Sequence, residues 1–306
     1  MIATHPPNGA LGEAAWIDLL DPTREEVERV REATGLRVPT NEEVSEIQSS
    51  SRLAMEQGAY YVTTPLLVGS DERNLKLAPA GFVLSARVLI TVHFTAIGSL
   101  DDARVACVKD CATTAEESFL RILEAVVDRA ADALERAGNE CDALSHAVFH
   151  GQGAKSKGSR AALRKIGHIS HQASYTSDEL LGIARIVGFV RRSSLPEVLL
   201  VNAARLKAIE TDIASLTEYE TRLSEKVQFV LDATLGFINI EQNEIVKTLT
   251  VASVVGIPPV LVAGIYGMNF HTMPELEWSL GYPMALVLIV VSAVLPLFWF
   301  KKRGWM

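Results

Sequence analysis

Between Lys247 and Lys301 the chain carries only two ionised side chains, Glu275 and Glu277, whereas the residues before Lys247 are densely charged. Within that interval lie two uncharged apolar runs, residues 249–266 and 280–300. At ~1.5 Å per helical residue the first is near the lower end of what spans a hydrocarbon core of ~30 Å, and the second is longer. Both are read as transmembrane helices. The mean hydropathy of +0.19 therefore averages over a soluble part and an apolar part.

The flanks give an orientation. Lys301, Lys302 and Arg303 follow the second run, while the loop 267–279 holds two acids and no Lys or Arg. Basic residues stay on the cytoplasmic side, so the C-terminus is expected in the cytoplasm and the loop outside. Trp278, Tyr282, Trp299 and Trp305 stand where aromatic rings mark the two interfaces. The first residues, with Pro6 and Pro7, lack the basic-then-apolar order of an export signal, which places the N-terminus in the cytoplasm as well.

Upstream, the opening third mixes strands with helices. Residues 15–20 read as a buried strand, and Asp21-Pro22-Thr23 caps a helix over 25–34 that Gly35 ends. A second, acidic helix is expected over 41–47. Residues 59–64, 75–77, 81–84 and 88–92 are rich in β-branched and aromatic side chains and read as hairpin-connected strands. From Thr114 the periodicity becomes helical: one helix over 116–150, a loop at 151–158, and a second helix over 160–192.

Ser194-Leu195-Pro196-Glu197 then has the form of a capping box, and no further proline occurs until Pro258. The third helix is expected to run over 195–266, about 100 Å at ~1.5 Å per residue. No compact domain holds a helix of that length, so it must leave a soluble body as a stalk and enter the bilayer. The expected organisation is an α+β cytoplasmic domain with a helical hairpin (1–194), a stalk (195–248), a first span (249–266), an outward loop (267–279), a second span (280–300) and a basic tail (301–306).

The first span carries a stripe that is small or polar at many positions. Steps of three and four from Asn239 give Asn243, Val246, Thr250, Ser253, Ile257, Val260, Gly264 and Gly267. Polar side chains facing lipid cost free energy, so the stripe faces something else. A pore lining and a tight helix-packing face fit it equally well. Pro258-Pro259 removes two backbone donors in mid-span and predicts a local kink. Two spans in one chain cannot enclose a conduit, so transport would require several copies around an axis.

Other classes are disfavoured. A net charge of −8 lacks the clustered Lys and Arg that nucleic-acid binding needs, and an acidic body instead concentrates cations. No Gly-rich phosphate loop is present for a nucleotide-driven pump, and no nucleophile elbow for a hydrolase. Cys107, Cys111 and Cys141 form no paired framework, which points to a reducing compartment. Cys107 with Cys111, His146 with His150 and His168 with His171 have spacings open to metal binding but lack the companions of known zinc motifs.

The segment Tyr266-Gly267-Met268-Asn269-Phe270, with Met273-Pro274-Glu275-Leu276, Gly281-Tyr282-Pro283 and Phe300-Lys301-Lys302-Arg303-Gly304-Trp305, resembles the CorA family of magnesium and cobalt channels. Residues 231–243 also resemble the end of that family's stalk helix, so the specific resemblance covers about 227–306. It implies a homopentamer in the bacterial inner membrane that conducts divalent cations through the bilayer without nucleotide: Mg²⁺, with Co²⁺ and Ni²⁺ as further ions. Gly267, Met268 and Asn269 would form the selectivity filter, Asn269 presenting amide oxygens to a hydrated ion. Asp232, Asn239 and Asn243 match pore-facing positions, with Thr250 and Ser253 as polar steps along the same stripe and Gly264 near its outer end. Val246, Leu249 and Ile257 would make an apolar constriction, and Val260 lacks a hydroxyl that relatives can carry there. Asp232, Asn243 and Asn269 would contact the ion.

Glu275 and Glu277 would attract cations to the mouth, or serve only to keep an exposed loop soluble. Family gating by intracellular Mg²⁺ makes Asp212 a regulatory candidate, with Asp101 or Asp102 opposite. Two competing readings are a Zn²⁺ transporter of the ZntB branch, which shares the Gly-Met-Asn motif, and a membrane-tethered Mg²⁺ sensor. The Met-Pro-Glu-Leu continuation favours the magnesium branch over the first. The polar stripe disfavours the second, because a tether needs none.

Overall fold

The computed structural model describes the chain except residues 8, 47–52, 70–74, 110–113, 151–155, 193–202, 270, 272, 275–277 and 306. Cys111, the cap at 194–197, and Glu275 with Glu277 therefore lie outside the described residues. Two compact units result: residues 1–150 with 160–231, and residues 151–159 with 232–306. The division falls inside the third long helix, at 231/232.

The first unit is built on a six-stranded sheet. In chain order its strands are β1 (Ile2–His5), β2 (Trp16–Leu20), β3 (Leu53–Glu56), β4 (Ala59–Val68), β5 (Lys76–Leu84) and β6 (Leu89–His93), and their order across the sheet is β1-β2-β6-β5-β4-β3. All neighbours are antiparallel except β2 and β6, which run parallel with Ile17 opposite Ile90. The helices of the unit are α1 (Arg24–Thr34), α2 (Asn41–Ser45), α3 (Gly98–Lys109), α4 (Ala115–Phe149), α5 (Ser156–Arg192) and the first part of α6 (Ala203–Tyr266).

Local chemistry fixes the element ends. Thr23 accepts from the Glu26 amide at 3.2 Å while Glu26 accepts from the Thr23 amide at 2.9 Å, a reciprocal cap for α1. Gly35, at φ 72°, ends the helix in the left-handed conformation that only glycine adopts without strain. Residues 75–77 and 81–84, read as two strands, are one strand interrupted by nothing. Pro79 sits opposite Pro65 in a single rung, and the neighbouring strands stop short of it, pairing only as far as Val62 and Ala80. Proline is tolerated at such edge-like positions because little ladder bonding is lost there.

Period-2 alternation gives the sheet two apolar faces. Ile17, Leu19, Val83, Ile90 and Val92 pack with Val30 of α1 and with Leu36 and Val38. On the other face Phe82 meets Phe119 of α4 edge-on at 6.3 Å, and Tyr60 meets Phe189 of α5 at 5.8 Å. Gly182 lets α5 approach β4 closely, since a β-carbon there would stand 1.9 Å from Thr64 Oγ1. The result is a three-layer α/β/α body.

Two buried polar groups stand out in it. Asp18 accepts from Thr91, Arg104 and His93 Nε2, the last at 3.0 Å, and Trp16 Nε1 donates to Thr91 at 2.9 Å. Burial pushes the Asp18 carboxyl up, but its bond to His93 and the charges of His93 and Arg104 outweigh burial and hold it below its ordinary value. His93 is raised in turn: burial opposes its charge and Asp18 overcomes that opposition. Glu179 is different. Its Oε1 accepts the Leu67 N–H at 2.7 Å, while Oε2 has no hydrogen-bond partner among the described residues. Burial raises the carboxyl from 4.5 to about 8 against the lowering effects of Leu67 and Arg129.

The folded chain thus holds a proton on Glu179 that the unfolded chain releases above 4.5. Stability contributed by that group is lost as pH rises from 4.5 toward about 8. Glu179→Gln keeps an acceptor for Leu67 and has no proton to lose. In thermal unfolding of the full chain in detergent between pH 5 and 8.5, the variant should melt above the wild type beyond pH 7 and show a flatter pH profile. Parallel profiles would refute this assignment.

Candidate functional site

The second unit contains the C-terminal part of α6 and α7 (Gly281–Lys302), which among the described residues are the two helices long and apolar enough to cross a membrane. α6 remains helical through Pro258 and Pro259 and ends at Tyr266. The predicted helix over 195–266 is thus observed from Ala203 onward, its first residues lying outside the described set. α7 carries Pro296 within an otherwise continuous helix.

Lys247 sets the depth of this hairpin. Its Nζ donates to the Gly304 carbonyl at 3.1 Å and lies 6.0 Å from the centre of the Trp305 ring. The start of the first apolar run is therefore level with the end of the second. Arg303 stands 4.8 Å from the centre of the Trp299 ring, and Trp305 stacks on Phe300 at 5.4 Å. Cations and indoles gathered at one level form the kind of belt that marks a membrane–water boundary.

At the opposite end the chain leaves α6 by a tight turn, with Gly267 N–H donating to the Ala263 carbonyl at 3.0 Å and Met268 N–H to Ile265 at 3.2 Å. A β-carbon on Gly267 would press on the Ala263 oxygen at 3.2 Å, so a side chain at this position would crowd the turn. Met268 and Asn269 follow and are exposed. Among the described residues, the Asn269 side chain has no hydrogen-bond partner within the chain, which leaves its amide oxygen available to an outside ligand.

The stripe lies along one side of α6 with little cover from its own chain. Asn239, Asn243, Val246, Leu249, Ile257, Val260 and Gly264 are exposed, and Thr250 and Ser253 are half-buried. Thr250 spends its proton on the Val246 carbonyl at 2.8 Å, leaving its oxygen as an acceptor. Farther along, Ile257, Val260 and Gly264 of the stripe, with Gly256 next to them, line an apolar trough of about 580 Å³. A β-carbon at Gly256 or Gly264 would meet nothing within 4 Å. Asp232 is exposed at the start of this unit.

In the first unit, Asp101 and Asp102 already have cationic partners: Arg104 at 3.0 Å and Arg129 at 2.6 Å. Asp212 is exposed on α6. It belongs to a group the sequence reading missed. The Asp128 carboxyl is raised by burial and then by the charges of Glu124, Asp132 and Asp212. Glu124, Asp128 and Asp132 are spaced by four on α4 and line a cleft of about 640 Å³ with Asp102, Arg121 and Arg129. That i, i+4, i+8 spacing was the available signal. Among the described residues no three His, Cys, Asp or Glu are arranged to hold a metal. His168 is engaged by Gln172 at 3.0 Å, His171 packs against Tyr175, and Cys107 and Cys141 are buried thiols.

Residues 12–302 match the family model described as CorA-like Mg²⁺ transporter protein. A magnesium transport protein CorA from Sodalis glossinidius is 31% identical over 302 residues, covering 97% of this chain and 94% of the relative. Another from Pasteurella multocida is 32% identical, covering 98% and 94%. The solved structure of the CorA magnesium transporter from Methanocaldococcus jannaschii shares the fold, with a TM-score of 0.77 at 19% identity over 100% of this chain and 98% of that one.

Lys247→Met keeps the apolar stem but removes the cation from Gly304 and Trp305. Exposed contacts of this kind contribute about 0.5–1 kcal/mol, or roughly two- to fivefold in a local opening equilibrium. Amide exchange at residues 303–305 should accelerate by that factor in the variant, and an unchanged rate would show that Lys247 does not anchor the tail.

Proposed function

The chain belongs to the CorA family of Mg²⁺ transporters, and from that membership we propose that it carries Mg²⁺ passively across a membrane through a pore formed by five copies of itself. The observation that carries the reading is the uncovered stripe on α6, which leads from Asn239 and Asn243 along Thr250 and Ser253 to Gly267-Met268-Asn269. Five such stripes around an axis would enclose a path that one chain cannot.

The chemistry of the stripe favours a hard ion. Its polar donors, Asn239, Asn243, Thr250, Ser253 and Asn269, are all oxygen ligands. Mg²⁺ prefers oxygen and surrenders water reluctantly, whereas Zn²⁺ favours nitrogen and sulfur. Five Asn269 amides would hold the hydrated ion at the mouth without stripping it, with Asn243 and Asp232 as later contacts. Val246, Leu249 and Ile257 would form a constriction that closes by dewetting, with Val260 and Gly264 between it and the filter. Glu275 and Glu277 in the loop would raise the local cation concentration. Co²⁺ and Ni²⁺ would follow the same path.

A membrane potential contributes about 4.6 kcal/mol per 100 mV to inward movement of a dication, twice the single-charge value, so no nucleotide is required and the protein is a transporter without an enzymatic step. The basic residues 301–303 support an orientation in which the C-terminus, and the N-terminus with it, would lie on the cytosolic side of the bacterial inner membrane.

Gating by cytosolic Mg²⁺ would act on the acidic surface around Asp212. Burial first, and then the charges of Glu124, Asp132 and Asp212, raise the Asp128 carboxyl, and a bound cation would relieve the repulsive part. Asp101 and Asp102, already paired with arginines, would have to exchange those partners to join in.

Asn269→Ala removes the amide oxygen and leaves the Gly267 turn intact. In a strain lacking its own Mg²⁺ uptake, the variant should lose at least tenfold in uptake rate at equal membrane abundance. Undiminished uptake would defeat the filter assignment.

A further inference from the structure

The last turn of α4 carries two imidazoles that the conduction path leaves unused. His146 and His150 are exposed, one helical turn apart, with ring centroids 3.9 Å apart and planes within 6° of parallel. The His146 carbonyl accepts both the His150 backbone N–H, at 3.0 Å, and its ring Nδ1–H, also at 3.0 Å. A carbonyl can only accept, so Nδ1 carries a proton, and Nε2 is the ring nitrogen left to ligate a metal. Metal-binding histidines are commonly fixed in this way, with one ring nitrogen tied to a carbonyl and the other free to ligate.

The spacing also fits. Two metal–nitrogen bonds of ~2.0–2.1 Å, meeting at angles between square and tetrahedral, require nitrogens about 2.8–3.4 Å apart. The rings now lie stacked with centroids 3.9 Å apart, so their lone pairs converge on one ion only once the side chains rotate out of the stack, a change their exposure permits. The pair stands at the C-terminal end of α4, where unpaired carbonyls concentrate negative charge and favour a cation. Asp142, one turn earlier, is held by Lys226 and is not counted as a ligand.

We infer that His146 and His150 form a two-imidazole site for a borderline transition-metal dication, with water completing the coordination. Imidazole suits Cu²⁺, Ni²⁺ and Zn²⁺, whereas Mg²⁺ takes oxygen, so the site discriminates against the proposed transported ion. Affinities of nitrogen sites rise toward Cu²⁺, which makes it the most sensitive probe.

The test uses the tag-free full chain in detergent micelles with Cu²⁺ alone, by equilibrium dialysis and frozen-solution electron paramagnetic resonance. The wild type should bind Cu²⁺ with hyperfine structure from two nitrogens. His146→Gln and His150→Gln, conservative changes at exposed positions, should each weaken this binding at least tenfold and remove the two-nitrogen pattern. His168→Gln with His171→Gln should change neither. The inference is overturned if the wild type binds no Cu²⁺, if the double variant at 146 and 150 binds as the wild type does, or if the pattern follows His168 and His171. None of these readouts involves ion flux, so they are independent of the uptake assay.

Discussion

A backbone that enters hydrocarbon must satisfy its own hydrogen bonds, and the C-terminal third of this chain is organised by that constraint. α6 stays helical from Ala203 to Tyr266, and α7 returns from Gly281 to Lys302. The rule is strained at Pro296 in α7 and, twice over, at Pro258 and Pro259 in α6. The missing N–H groups of that pair leave the carbonyls of Val254 and Val255 without their usual donors, four residues back. Polar groups freed in mid-span are tolerated where water or a neighbouring helix meets them, which agrees with a span lining a wet path.

The same constraint locates the ends of the hairpin. Lys247 can lie at the boundary because it meets the Gly304 carbonyl and the Trp305 ring instead of lipid. At the far end the chain turns at Gly267, and Asn269 follows with its amide free of partners among the described residues. A donor-rich turn at one end of an uncovered polar stripe is the arrangement from which the proposed entrance and path are drawn. The site at His146 and His150 belongs to the soluble unit and uses different chemistry, nitrogen where the stripe offers oxygen.

Much of this was legible in the sequence for physical reasons. Charge is excluded from hydrocarbon, so the two spans are visible as uncharged runs, and the caps at Thr23 and Gly35 follow from side-chain chemistry alone. Other parts carry weak local signals. β1 and β3 have four residues each, too few for periodicity to speak. α3 went unread because it buries mainly Leu100, Ala103 and Cys107 among charged neighbours, a faint stripe. β5 was read as two strands, 75–77 and 81–84, with Pro79 between them; only the rung with Pro65 shows how that proline is tolerated. The protonated Glu179 and the Asp18–His93 pair were invisible, since both depend on partners 73 or more residues away. The stripe itself was legible, but whether it faces a pore depends on neighbouring copies that one sequence does not display.

The central claim is passive conduction restrained by cytosolic Mg²⁺, and flux of Mg²⁺ into liposomes holding the purified full chain tests it most directly. With an imposed inside-negative potential and no nucleotide, the account predicts inward flux that falls as Mg²⁺ on the face bearing the soluble unit is raised. Flux that requires nucleotide, or no flux at any Mg²⁺ concentration in a correctly inserted protein, would contradict it.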